Sequence, residues 1–141
     1  MAYNSTKNLT GTLPEAMIAI GYEAPGGPQV LRAETLAVPR PGPGEVLVKV
    51  AYAGVNRPDV VQRQGNYPTP PGASPIPGLE IAGEVVAVGE DVEDTLLGQL
   101  VCALVTGGGY AEYCLAQAGH CLPVPEGLPL AEAAALPETL F

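Results

Sequence analysis

Glu45-Val46-Leu47-Val48-Lys49-Val50-Ala51-Tyr52-Ala53-Gly54-Val55 runs directly into Asn56-Arg57-Pro58-Asp59-Val60-Val61-Gln62-Arg63-Gln64-Gly65, and the two halves have different periods. Val46, Val48 and Val50 recur every second residue while Lys49 marks the other face as partly wet, so residues 45–55 are expected to form a central β-strand. Pro58 has the fixed φ of a first helical residue and no N–H to leave unpaired, and Gly65 is a natural stop. Pro58 to Gln64 is therefore expected to be a two-turn helix.

Upstream, Met17 to Tyr22 and Val30 to Val38 read as two strands of a hairpin joined through Pro25-Gly26-Gly27-Pro28, and Pro39-Arg40-Pro41-Gly42-Pro43-Gly44 ends the second. Downstream, Asn66 to Gly78 contains Pro68, Pro70, Pro71, Pro75 and Pro77, which implies an extended, semi-rigid loop. Leu79 to Val88 reads as a strand interrupted at Gly83. Leu100 to Val105 and Tyr110 to Ala116 read as a strand pair joined by Gly107-Gly108-Gly109, and Leu130 to Leu136 as a helix. Six or seven short strands between turn signals, with few helices, describe a mainly β, small, partly open barrel.

At 141 residues one domain is expected, assigned to residues 17–141. Residues 1–16 are polar and irregular and are expected to be a disordered leader. Gly and Pro make up nearly a quarter of the chain, yet 47% of it is hydrophobic, more than a disordered chain carries. The apolar runs are too short for a membrane-spanning helix. A net charge of −9 disfavours nucleic acid and anionic lipid as partners. Cys102, Cys114 and Cys121 are odd in number and lack CxxC spacing, which fits a reduced, cytoplasmic chain.

No GxGxxG lies between a strand and a helix: Gly42-Pro43-Gly44 and Gly107-Gly108-Gly109 read as turns. His120 has no second ligand at metal spacing and reads as a surface or strand-end residue. The informative group is Asn56, Asp59, Arg63 and Tyr67. Asn56 stands where a strand end meets a helix start, and its amide can cap the helix or donate to a ligand. Asp59 and Arg63, spaced i, i+4, are expected to pair. Arg57 and Arg63 place two of only six basic residues beside each other, offering locally positive ground for an anionic ligand. Tyr67 supplies an aromatic face and a phenol, or packs as a surface tyrosine.

Several motifs, in order, resemble a known family. Ala53-Gly54-Val55-Asn56-Arg57-Pro58-Asp59, Gln62-Arg63-Gln64-Gly65-Asn66-Tyr67-Pro68, Pro77-Gly78-Leu79-Glu80-Ile81-Ala82-Gly83-Glu84-Val85, Gly108-Gly109-Tyr110-Ala111-Glu112-Tyr113 and Leu122-Pro123-Val124-Pro125-Glu126-Gly127 look like the quinone oxidoreductase branch of the medium-chain dehydrogenase/reductase superfamily. The Asn-Arg-Pro-Asp variant is most similar to its stress-inducible subgroup. The resemblance implies a GroES-like first domain without the Rossmann domain that follows in the superfamily. It also implies a cleft lined by Asn56 (hydrogen bonding), Arg63 (anion contact) and Tyr67 (stacking or proton donation), with Asn56 and Tyr67 nearest the chemistry. Related alcohol dehydrogenases hold zinc with a Cys at the position of Asn56 and a His at that of Leu79. An amide and an alkyl chain are poor replacements, so a zinc-free enzyme is implied.

The function implied is hydride transfer from NADPH, bound mainly by the absent domain, to a quinone or conjugated carbonyl. The full-length protein is expected to be a homo-oligomer and the isolated domain inactive. The alternatives are a zinc-free enoyl or alkenal reductase domain and a non-catalytic GroES-like binding module. Gly98-Gln99-Leu100-Val101 departs from the family's Gly-Asp-Arg-Val, which is expected to affect local stability more than chemistry.

Overall fold

The computed structural model describes residues 7–8 and 13–140. In chain order its strands are β1 (Lys7–Asn8), β2 (Ala16–Gly21), β3 (Arg32–Ala37), β4 (Glu45–Ala53), β5 (Glu80–Val88), β6 (Leu100–Leu104), β7 (Tyr113–Gln117) and β8 (Cys121–Pro123). Its helices are α1 (Arg57–Arg63), α2 (Leu130–Ala133) and α3 (Pro137–Leu140). Most of residues 1–16 lie outside the described residues; within that stretch, Lys7 and Asn8 pair with Val88 and Ala87 of β5, and β2 begins at Ala16.

One antiparallel sheet runs in the order β7-β4-β5-β6-β8, with β1 also on β5, while β2 and β3 form a separate hairpin. The hairpin is tied to the approach of β7. Ile20 N–H donates to the Tyr110 carbonyl (2.8 Å), and Glu112 N–H donates to the Ile18 carbonyl (3.1 Å). These bonds bend the mainly β architecture toward a GroES-like barrel that stays partly open.

The core follows the alternation that defines β4. Val46 and Val48 pack with Ile81, Val85, Val101, Ala103, Cys114 and Ala116 on one face. Leu47, on the face of Lys49, is fully buried with Val86 and Ala87, so that face is wet only from Lys49 onward. β5 is buried on both sides through most of its length, which suits a strand with neighbours on each edge. Gly83 does not interrupt it: pairing continues from Val50 across Gly83 to Val101, and the irregularities lie elsewhere, at Val86 of β5 opposite Leu47 and Val48 and at Ala51 of β4 between Val50 and Tyr52.

Two expectations about neighbours are corrected. β6 and β7 are not paired with each other; β6 lies between β5 and β8, and β7 lies on β4. The glycine triplet is not a hairpin turn. Gly107 and Gly108 adopt positive φ, and the chain lies along the Pro-rich loop, with Gly108 N–H on the Ile76 carbonyl (2.7 Å) and Tyr110 N–H on the Pro77 carbonyl (2.9 Å). The helix expected over Leu130 to Leu136 stops at Ala133, with Ala134 as its C-cap, and Pro137 disfavours its resumption through Leu136. A tight turn follows, with Leu136 N–H on the Ala133 carbonyl (3.1 Å), and α3 begins at Pro137.

Candidate active site

β4 delivers the chain to Asn56, whose extended backbone (φ −128°, ψ 162°) caps α1. Its N–H donates to Asp59 Oδ2 (2.9 Å), so the first-turn carboxylate satisfies a donor outside the helix and complements the helix dipole. The helix ends in a Schellman turn at Gly65 (φ +86°), with Asn66 N–H on the Val61 carbonyl (2.9 Å) and Gly65 N–H on that of Gln62 (2.9 Å).

The Asn56 side chain turns toward β5, and its Nδ2 donates to Glu80 Oε1 (2.8 Å). Glu80 is 3% exposed, and its second oxygen accepts the Glu138 N–H at the start of α3 (3.0 Å). Gly54 sits against the same carboxylate so closely that a Cβ there would collide with Glu80 Oε1.

Asp59 does not pair with Arg63. It is 4% exposed and accepts three donors: Asn56 N–H, Gly78 N–H (3.2 Å) and the Tyr110 hydroxyl (2.7 Å). Arg63 points elsewhere, its Nε donating to the Gly26 carbonyl (3.1 Å), while Gly26 N–H returns a bond to the Arg63 carbonyl (3.0 Å). Tertiary partners thus displaced a local pair that is weak in any case. Buried Gln62 donates to the Pro75 carbonyl (3.1 Å). Together Asp59 and Gln62 dock the Pro-rich loop on α1.

Asn56 and Arg63 therefore share one helix but not a contact, and the free Nη groups of Arg63 make no hydrogen bond among the described residues. Tyr67 is exposed just past the helix, with no hydrogen-bond partner there. Tyr52 and Val55, 52% and 77% exposed, flank the strand end. Leu79 is packed in the core. Among the described residues no three His, Cys, Asp or Glu side chains gather closely enough to hold a metal.

Sequence reasoning missed Glu80 and Tyr110. A lone acid opening the apolar run Leu79 to Val88 is the signal that could have found Glu80, because a buried carboxylate demands donors. The Tyr110 phenol is pushed up from its ordinary pKa by burial and by its bond to Asp59, so it acts as a fixed donor. Burial pushes the Cys114 thiol up to about 12 and the Cys121 thiol up to about 11, each from 9.0. Both stay protonated and inert as nucleophiles at neutral pH.

His120 ends the turn Ala118–His120 beside β8. It lines a cavity of about 330 Å³ together with Met17, Leu36, Ile76, Val105 and Cys114, and none of Asn56, Arg63, Tyr67 or Glu80 lines it.

Residues 42–126 match the family described as the alcohol dehydrogenase GroES-like domain. The chain belongs to this family. It is 40% identical to the quinone oxidoreductase of Sus scrofa over 113 residues, 79% of this chain and 34% of the relative. The human synaptic vesicle membrane protein VAT-1 homolog-like protein superimposes with a TM-score of 0.78 at 33% identity, covering 85% of this chain and 39% of that one. A mycobacterial protein solved in complex with NADPH superimposes with a TM-score of 0.72 at 37% identity, covering 84% and 35%. These relatives bear out the quinone oxidoreductase resemblance and the GroES-like fold. The first eight curated relatives are covered over only 19% to 43% of their own length. No helix among the described residues is long and apolar enough to cross a membrane.

Proposed function

We propose that this GroES-like domain is the N-terminal, substrate-side half of an NADPH-dependent quinone oxidoreductase that works without zinc. The observation that carries the reading is the pair Asn56 and Leu79 in a chain 40% identical to a quinone oxidoreductase: an amide tethered to Glu80 and a buried alkyl group stand where the superfamily's alcohol dehydrogenases place zinc ligands, and neither suits the metal.

The residues fit a dihydronicotinamide and a planar acceptor. Asn56 offers an oriented amide, Arg63 two Nη groups that make no hydrogen bond among the described residues, and Tyr67 an exposed ring. A dihydronicotinamide bound there would supply a hydride, that is two electrons and one proton, and Tyr67 or solvent would give the acceptor the second proton that makes a quinone a hydroquinone. This domain's part is to align the acceptor, and partly desolvating it falls to a second domain that closes over the site. The isolated domain is therefore inactive in this reading.

Steady-state assays on the full-length protein test it. Oxidation of NADPH by 1,4-quinones, unaffected by a zinc chelator, is expected. Preference for 2-alkenals would favour the enoyl or alkenal reductase reading, and chelator-sensitive alcohol oxidation would overturn the zinc-free one. No turnover of any of these would favour a binding module.

A further inference from the structure

We propose that Glu80 is a positioning residue that fixes which way the Asn56 amide faces. The inference rests on the reading of Asn56 as a ligand-facing residue. A carboxylate accepts at both oxygens, so the Asn56 group turned toward Glu80 must be its Nδ2; an Oδ1 there would face like-signed lone pairs. The other oxygen is held by the Glu138 N–H, a donor at a helix start that cannot turn over and has no partner within α3. Glu80 is thus clamped at both ends, in a site where Gly54 leaves room for it.

What remains of the amide for a ligand, the second Nδ2 hydrogen, is held in one plane and one sense. Such preorganisation matters where a hydride donor and its acceptor must be aligned to fractions of an ångström. No sequence motif for a reacting group would reveal it, because Glu80 is buried and acts only through Asn56.

Glu80→Gln is the informative variant. The network asks for two acceptor oxygens and glutamine supplies one. The Glu138 N–H retains that oxygen, and the glutamine NH2 then faces Asn56, whose amide must turn over or lose its partner. Packing volume is unchanged.

In the full-length protein, NADPH and 1,4-benzoquinone kinetics are measured for wild type, Glu80→Gln, Asn56→Ala and the double variant, with urea unfolding as the control for folding. Glu80→Gln is expected to lower kcat/KM about tenfold, within the range for a lost charge-assisted hydrogen bond, and to add nothing in the Asn56→Ala background. Unaltered kcat/KM, or the same fold loss in both backgrounds, would overturn the proposal.

Selective 15N-asparagine labelling gives a second readout on the wild type itself. One Asn56 side-chain amide proton is expected to lie downfield and exchange slowly; two fast-exchanging protons with the shifts of a solvent-exposed asparagine would contradict the tether. If the wild type reduces no quinone, the functional reading fails and the resonance alone upholds or overturns the positioning.

Discussion

Asp59→Ala is expected to destabilise the fold by about 3–5 kcal/mol, the scale on which a buried charged partner is lost with its donors left behind. The carboxylate is 4% exposed and holds the Asn56 N–H, the Gly78 N–H and the Tyr110 hydroxyl at 2.9, 3.2 and 2.7 Å. Alanine strands all three donors, and that of Gly78 lies where water does not reach. The damage is not local, because Gly78 fixes the end of the Pro-rich loop and Tyr110 the end of the glycine triplet. Tyr110→Phe removes one donor while the carboxylate keeps two, and about 1–2 kcal/mol is expected there. Urea unfolding of the two variants checks the pair, and a loss below about 1 kcal/mol for Asp59→Ala would show that the donors find other partners.

Gly83→Ala is expected to be at least as damaging, at about 3–5 kcal/mol or outright failure to fold, as overpacking against an immovable neighbour implies. A Cβ on Gly83 would collide with the Lys49 backbone carbonyl. Relief would require β4 to move away from β5, yet Gly83 pairs with Val50 on one side and Val101 on the other. Gly119 supplies the control. A Cβ there meets nothing within 4 Å, so Gly119→Ala is expected to stay within about 0.5 kcal/mol of the parent. Comparable losses in the two variants would mean that the close approach of β4 and β5 is not what requires glycine at position 83.

These two residues also mark what the sequence made legible. The extents of β4, α1 and β5 follow from period-two valines, from Pro58 and Gly65, and from an apolar run, all local signals; the structure agrees to within about two residues, the usual uncertainty of such boundaries. Neighbour relations are not local. The Gly107-Gly108-Gly109 segment looks like a hairpin turn until the Pro-rich loop is seen to offer it carbonyls at Ile76, Pro77 and Gly78, which draws β7 onto β4 and away from β6.

The same limit applies at the site. Asn56 stands out because of where a strand meets a helix, but nothing within a few residues of it announces Glu80, twenty-four positions on. Asp59 and Arg63 have the spacing of an ion pair and lose it to better partners, a buried cluster of donors for one and the Gly26 carbonyl for the other. Arg63 and Tyr67 were singled out as companions of Asn56. Arg63 is turned to the Gly26 carbonyl and Tyr67 is exposed past the helix, and neither hydrogen-bonds to the Asn56 amide among the described residues.

The central claim is that Asn56 aligns the reacting pair in a zinc-free reduction of a quinone. Its most direct test is an anaerobic single turnover of the full-length protein with NADPH and 1,4-benzoquinone, wild type against Asn56→Ala. The account predicts one hydroquinone formed per NADPH consumed by the wild type, and a rate lowered at least about tenfold in Asn56→Ala with its urea midpoint little changed. Equal rates in the two proteins would contradict it.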